Sequence, residues 1–150
     1  HNKQVVEKLK DQGVKTVSSV AEIPAESHGT ILISAHGVAP EIYQAAEAKG
    51  LKIIDTTCPW VKKAQKIARE LAEQGRQVII IGDKGHPEVK ALVGWSGGQG
   101  IVIEKSAEIA QLAVDPDRKL GVLAQTTQAE KHFTTMVAAL KKSFKEKWLF

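Results

Sequence analysis

The sequence predicts an α/β protein whose parallel sheets are built from βαβ units. Apolar, β-branched runs alternate with amphipathic stretches along all 150 residues, the pattern of strands joined by crossover helices. Prolines open prospective helices at Pro40, Pro59 and Pro87, and glycines close helices at Gly13, Gly50 and Gly75. Four short motifs fall where a strand should end and a helix begin. They are Ser34-Ala35-His36-Gly37, Asp55-Thr56-Thr57-Cys58-Pro59, Gly85-His86-Pro87-Glu88 and Gln125-Thr126-Thr127. Open α/β sheets bind ligands at that edge.

Taken in order, Asn2–Gln12 reads as a helix with Val5, Val6 and Leu9 on one face and Gly13 as its stop. Val14–Ser18 is a short strand candidate, and Val20–Ile23 a turn before Pro24. Thr30–Ser34 is an apolar strand leading into the first histidine motif. Pro40 opens a helix to about Lys49, and Lys52–Thr56 is the next strand. Pro59 begins a long helix to about Gln74. Gln77–Gly82 follows, and its Val-Ile-Ile-Ile run suits a sheet buried on both faces.

A helix is expected over Pro87–Val93, then a glycine-rich connector over Gly94–Gly100. Those glycines lack phosphate-loop spacing and a following Lys-Ser or Lys-Thr. Ile101–Glu104 reads as a strand, Ala107–Leu112 as a short helix, Leu120–Ala124 as a strand and Ala129–Phe144 as the last helix. A break near Cys58–Trp60 divides the chain into two α/β pieces, 1–58 and 59–150.

Composition limits the function classes. Apolar residues make up 43% and charged residues 25%, as in ordinary globular proteins. No run approaches the ~20 apolar residues of a membrane helix. His1-Asn2-Lys3 has no apolar signal region, and the missing methionine suggests a start inside a longer protein. The net charge of +4 is modest. Lys141, Lys142, Lys145 and Lys147 read as a solvated helix end that suits the negative pole of the helix dipole, rather than a nucleic-acid surface. Trp148-Leu149-Phe150 looks like the start of a further strand. The single cysteine, Cys58, excludes an internal disulfide and any metal site made from several thiolates of one chain. It suits a reducing compartment.

Each motif has a chemical and a plain structural reading. His36 lies before a helix start, where free N–H groups and the dipole favour an anion; the plain reading is a turn histidine bonded to a carbonyl. His86-Pro87-Glu88 repeats the arrangement, with Glu88 either a helix-start charge or a proton donor. Cys58 at a strand end is a nucleophile, a metal ligand or a small buried hydrophobe. One hydroxyl of Thr126 and Thr127 is expected to cap the last helix, and either is able to meet a ligand.

In this order, His1-Asn2, Ser34-Ala35-His36-Gly37-Val38, Thr57-Cys58-Pro59, Gly85-His86-Pro87-Glu88-Val89 and Gln125-Thr126-Thr127 resemble the 4-hydroxy-3-methylbut-2-enyl diphosphate reductases. These are iron–sulfur enzymes that end the non-mevalonate isoprenoid pathway. The resemblance runs through essentially the whole chain. It implies a trefoil-like α/β enzyme of three similar lobes around a central cavity, of which this chain holds about two. It also implies a [4Fe–4S] cluster held by three cysteines, with Cys58 as one ligand. By the same resemblance His1, His36 and His86 contact the substrate diphosphate, Glu88 delivers protons and Thr126 assists near the substrate hydroxyl. The implied partners are the small allylic diphosphate and an electron donor such as ferredoxin or flavodoxin, in the cytoplasm, with no nucleic acid and no membrane.

The chain departs from the family pattern in its cysteines. The two other cluster cysteines belong upstream of His1 and downstream of Phe150, and an N-terminal segment and the third lobe are missing with them. The isolated chain is therefore expected neither to hold a normal cluster nor to turn over substrate. Two other readings are a non-catalytic anion-binding α/β module and a cysteine-nucleophile enzyme. The phosphatase form of the latter is disfavoured, because Pro59-Trp60-Val61-Lys62 follows Cys58 in place of an arginine-rich phosphate loop.

Overall fold

Parallel strands form two separate sheets in the computed structural model, which describes residues 3–24 and 28–145. In the first, β1 (Thr30–Ile33) pairs with β2 (Lys52–Asp55), Ile31 opposite Ile53 and Leu32 opposite Ile54. In the second, β3 (Gln77–Ile81) lies between β4 (Ile101–Ile103) and β5 (Leu120–Ala124). The helices are α1 (Lys3–Asp11), α2 (Pro40–Ala48), α3 (Pro59–Glu73), α4 (Pro87–Trp95) and α5 (Glu130–Ser143). Short 3-10 turns cover Val20–Glu22 and Ser106–Gln111.

Every residue of β3 is buried, as its β-branched run predicts, because helices cover both faces of its sheet. Val78 and Ile80 face α3 and α4 through Ala64, Ala68, Val89 and Leu92. Ile79 and Ile81 face the opposite side, with Met136 and Leu140 of α5 and Ile109 of the second 3-10 turn. Full burial of one such isoleucine stabilises the fold by about 1.5–3 kcal/mol. A smaller cluster of Val20, Ala46 and Leu51 covers one face of β1–β2, packing on Ile31 and Ile53. The other face of that pair is open: Leu32 is 51% and Ile54 45% exposed.

Three expectations need correction. Val14–Ser18 forms no strand; it is irregular and exposed apart from half-buried Val17, with no neighbouring strand to pair with among the described residues. Helix α4 runs two residues past Val93, so Gly94 and Trp95 belong to the helix and not to a connector. The helix expected at Ala107–Leu112 is instead a 3-10 turn over Ser106–Gln111, held by Glu108, whose carboxylate accepts from the N–H groups of Glu104 and Lys105. The expected contact of His1 and the expected strand at Trp148–Phe150 lie outside the described residues.

Candidate functional site

Because all pairings are parallel, the loops after β3 and β5 leave the same edge of one sheet. Helix α4 then turns to one face and α5 to the other. This is a topological switch point, where neighbouring loops part and leave a crevice. The Gly-His-Pro-Glu and Gln-Thr-Thr motifs form its two walls.

The wall after β3 is tightly constrained. A Cβ on Gly82 would lie 2.8 Å from the Val89 side chain and 2.9 Å from Gln125 Cβ, so only glycine fits. Asp83 Oδ1 accepts from Gly85 N–H at 2.7 Å, and His86 N–H donates to the Asp83 carbonyl at 3.0 Å. Lys84 N–H donates to Glu104, and the Lys84 ammonium pairs with Glu108. That ammonium, helped by the N–H groups of Glu104 and Lys105, brings the Glu108 carboxyl down to about 2.

His86 is the N-cap of α4. Its Nδ1 accepts the N–H of Glu88 at 3.2 Å, so the neutral ring carries its proton on Nε2. One residue thus closes a free helix N–H and presents a donor of its own. Glu88 is buried, 2% exposed. Its two carboxyl oxygens accept from the other wall, from Thr126 N–H at 2.7 Å and from the Thr126 hydroxyl at 2.9 Å. The expectation that a threonine caps the last helix is therefore wrong. Ala129 is the N-cap of α5 and makes no side-chain bond. The Thr126 hydroxyl goes to the buried carboxyl, a stronger acceptor demand than a solvated helix end. The Thr127 hydroxyl accepts from Gln125 Nε2 at 2.9 Å.

The sequence places Gln125 in the Gln-Thr-Thr motif without a role of its own, yet it ties the walls together. It is 5% exposed, and its Oε1 accepts from Asp83 N–H at 3.1 Å. Its partner lies 42 residues away in the chain, so no local pattern betrays it.

The first sheet contributes the other two motifs. Gly37 takes φ +69 in the turn after β1, a conformation that favours glycine. Cys58 N–H donates to the carbonyl of Ala35 at 2.9 Å, which fastens the Cys58 turn to the His36 turn. Asp55 shapes the turn before Cys58. Its Oδ1 accepts from Thr57 N–H at 2.9 Å and the Thr57 hydroxyl at 2.5 Å, and its Oδ2 pairs with Lys62 at 2.8 Å. Partial burial works against ionisation, but these bonds from Lys62 and Thr57 outweigh it and hold the carboxyl at about 2. Cys58 itself is a half-buried free thiol at the N-cap of α3, with no side-chain capping bond.

The sheets meet at the histidines. The rings of His36 and His86 lie 5.1 Å apart, edge to face at 79°. The described residues thus bring His36, His86, Glu88 and Thr126 to adjoining strand ends, with Cys58 bonded to the His36 turn. Among them no group of three or more His, Cys, Asp or Glu side chains is arranged to hold a metal ion. As one donor to iron Cys58 fits: it is a free, half-buried thiol, and cysteine sulfur is the usual ligand of iron–sulfur clusters. A surface hollow lined by Gln74, Arg76, Asp117 and Arg118 lies at the opposite ends of the strands. Its arginines are already engaged with the carbonyls of Gly75, Arg76 and Leu120.

This arrangement defines an α/β protein with imidazole, carboxyl and thiol groups gathered at its strand ends. The chain belongs to the LytB protein family, whose model matches residues 1–149. It is 41% identical over 137 residues to the 4-hydroxy-3-methylbut-2-enyl diphosphate reductase of Dehalococcoides mccartyi, which covers 91% of this chain and 47% of the relative. It is 37% identical over 146 residues to the enzyme of that name from Clostridioides difficile, covering 97% and 52%. Among solved structures, the E-1-hydroxy-2-methyl-but-2-enyl-4-diphosphate reductase of Plasmodium falciparum aligns with a TM-score of 0.85 at 29% identity. That alignment covers 97% of this chain and 45% of the other. The chain spans about half the length of the curated relatives it matches.

Proposed function

We propose that this chain supplies part of the active site of a 4-hydroxy-3-methylbut-2-enyl diphosphate reductase. The reaction is the two-electron reductive dehydroxylation of that allylic diphosphate to isopentenyl and dimethylallyl diphosphates. The observation that carries the reading is the buried Glu88 carboxyl bonded to exposed Thr126, two residues from His86 and its ring contact with His36.

In this reading His36 and His86, with His1, bind the diphosphate. The Nε2–H of His86, left outward by the bond at Nδ1, suits a phosphate oxygen. Thr126 is exposed where Glu88 is buried, so its hydroxyl is the group a ligand meets first, and it links the ligand to the carboxyl behind it. Glu88 delivers the proton that lets the substrate hydroxyl leave as water. Cys58 is one ligand of a [4Fe–4S] cluster, which when bound supplies the two electrons received from a ferredoxin or flavodoxin. The two remaining thiolates come from outside these 150 residues, since Cys58 is the sole cysteine.

Residues 1–58 and 59–150 form two of three lobes, with the third lobe and an N-terminal segment elsewhere in the parent protein. The open apolar face at Leu32 and Ile54 supports further chain there, because parallel sheets are ordinarily covered on both faces. The setting is cytoplasmic. No helix among the described residues is long and apolar enough to cross a membrane. By itself the chain acts as an anion-binding module, a second reading favoured by its single thiol.

Titration of the 15N-histidine-labelled chain with inorganic pyrophosphate tests the site. His36 and His86 resonances should move together, and His86→Ala should abolish the response. Unmoved histidines at millimolar pyrophosphate would sink the assignment. Anaerobic reconstitution with iron and sulfide, against Cys58→Ala, tests the thiol. No stoichiometric cluster is expected on the chain alone, and a cluster indifferent to Cys58→Ala would refute its role.

A further inference from the structure

Helix α4 carries a functional motif at its first turn and an unassigned aromatic residue at its last. Trp95, the final residue of α4, donates its indole N–H to the carbonyl of Val38 at 2.9 Å. Val38 lies two residues beyond His36. The ring of Trp95 packs edge to face on Tyr43 of α2 at 6.3 Å, and the Arg69 guanidinium of α3 lies 5.6 Å from its centroid. One residue earlier, a Cβ on Gly94 would sit 2.4 Å from Ala39 Cβ and 3.3 Å from Pro40 Cδ.

The segment from His36 to Pro40 therefore lies alongside α4 from its N-cap to its last turn. His36 meets His86 at one end, and Ala39 and Pro40 meet Gly94 at the other. Helical side chains tilt towards the helix N-terminus, so an indole at the last position reaches back to the middle of that segment. A nine-residue helix is a stiff rod of roughly 13 Å at ~1.5 Å per residue. The point where it grips residue 38 sets how residue 36 meets residue 86.

The geometry points to Trp95 as a positioning residue for the His36–His86 pair. Its indole N–H is a latch between the first sheet's histidine turn and the helix that bears the second histidine. The latch fixes the spacing of the His36 turn from the start of α4, beside the crevice, and through it the fit of an anion. That last clause rests on the reading of the crevice as a diphosphate site; the latch itself does not.

The test uses the full chain with Trp95→Phe, which keeps a ring against Tyr43 and Arg69 and removes the donor. A second variant places benzothienylalanine at position 95, replacing the indole N–H by sulfur in nearly the same shape. The readouts are the nuclear Overhauser contact between the His36 and His86 rings, the His132 resonances as a remote control, and pyrophosphate affinity. Both variants should weaken the ring contact and displace the His36 resonances while His132 stays in place, and pyrophosphate should bind about 5–10-fold more weakly. An unchanged ring contact and unchanged His36 resonances in the folded benzothienylalanine protein would overturn the latch. Failure of the wild-type chain to bind pyrophosphate, with the ring contact still lost in the variants, would instead remove the anion reading and leave the latch standing.

Discussion

Glu88 and Thr126 stand 38 residues apart and close on each other twice, through a backbone N–H and a hydroxyl that reach different oxygens of one carboxyl group. The pair joins the first turn of α4 to the end of β5 across the crevice. Thr126→Val keeps the shape and the backbone bond but strips one donor from a carboxyl that is 2% exposed. Urea unfolding should show a loss of about 1–2 kcal/mol. A variant as stable as the parent would mean that water replaces the hydroxyl at no cost.

Gln125 makes a different demand. Gln125→Leu keeps the bulk against Gly82 but releases the Asp83 N–H and the Thr127 hydroxyl. The Asp83 amide should then exchange its hydrogen about 10-fold faster, the equivalent of one ordinary hydrogen bond. The amides of β3 should keep their protection. Unaltered exchange at Asp83 would show that the loop is held by Lys84 and Glu104 alone.

These two residues mark where the sequence was readable. The strand ends, the helix starts at Pro40, Pro59 and Pro87 and the fully buried β3 follow from local rules of period and punctuation, and all are present. Position at the strand ends was legible for the same reason. The pairings across the crevice were not, because Glu88 with Thr126 and Gln125 with Asp83 join residues about forty apart. Thr126 misled for a related cause: capping is the local use of a threonine before a helix, and a distant buried carboxyl outcompetes it. The alternating valines of Val14–Ser18 likewise carry strand propensity, which has little effect without a partner strand.

Gly94→Ala opposes two effects of known size. Replacing an exposed helical glycine by alanine ordinarily stabilises by about 1 kcal/mol. Here the new methyl would lie 2.4 Å from Ala39 Cβ and 3.2 Å from its backbone Cα, and α2 would have to move. Overpacking of this kind costs about 1–3 kcal/mol, so the net effect should be destabilising, with a lower thermal midpoint. A raised midpoint would show that α2 yields freely.

Asp55 gives a signature in acid. Its folded carboxyl titrates at about 2 against an ordinary value of 3.8, so the folded state holds its charge more tightly than the unfolded chain does. The stability it contributes is complete above pH ~4 and is lost as the pH falls from there towards 2. Asp55→Asn should lower stability at neutral pH and flatten its decline across that interval. Parallel curves for the two proteins from pH 4 to 2 would show that the bonds from Thr57 and Lys62 do not bear on folding.

The central place of β3 has a consequence for synthesis. Both of its hydrogen-bonding neighbours, β4 and β5, follow it in the chain. A nascent polypeptide thus releases Gln-Val-Ile-Ile-Ile from the ribosome with neither edge yet matched. The last matching strand ends at Ala124, some forty residues later, which takes several seconds at about 5–20 residues per second. For that interval the most apolar segment of the molecule is an open template for other chains. A chaperone that holds extended apolar peptides would find its binding sequence there, and slower translation over residues 82–124 would lengthen the exposure.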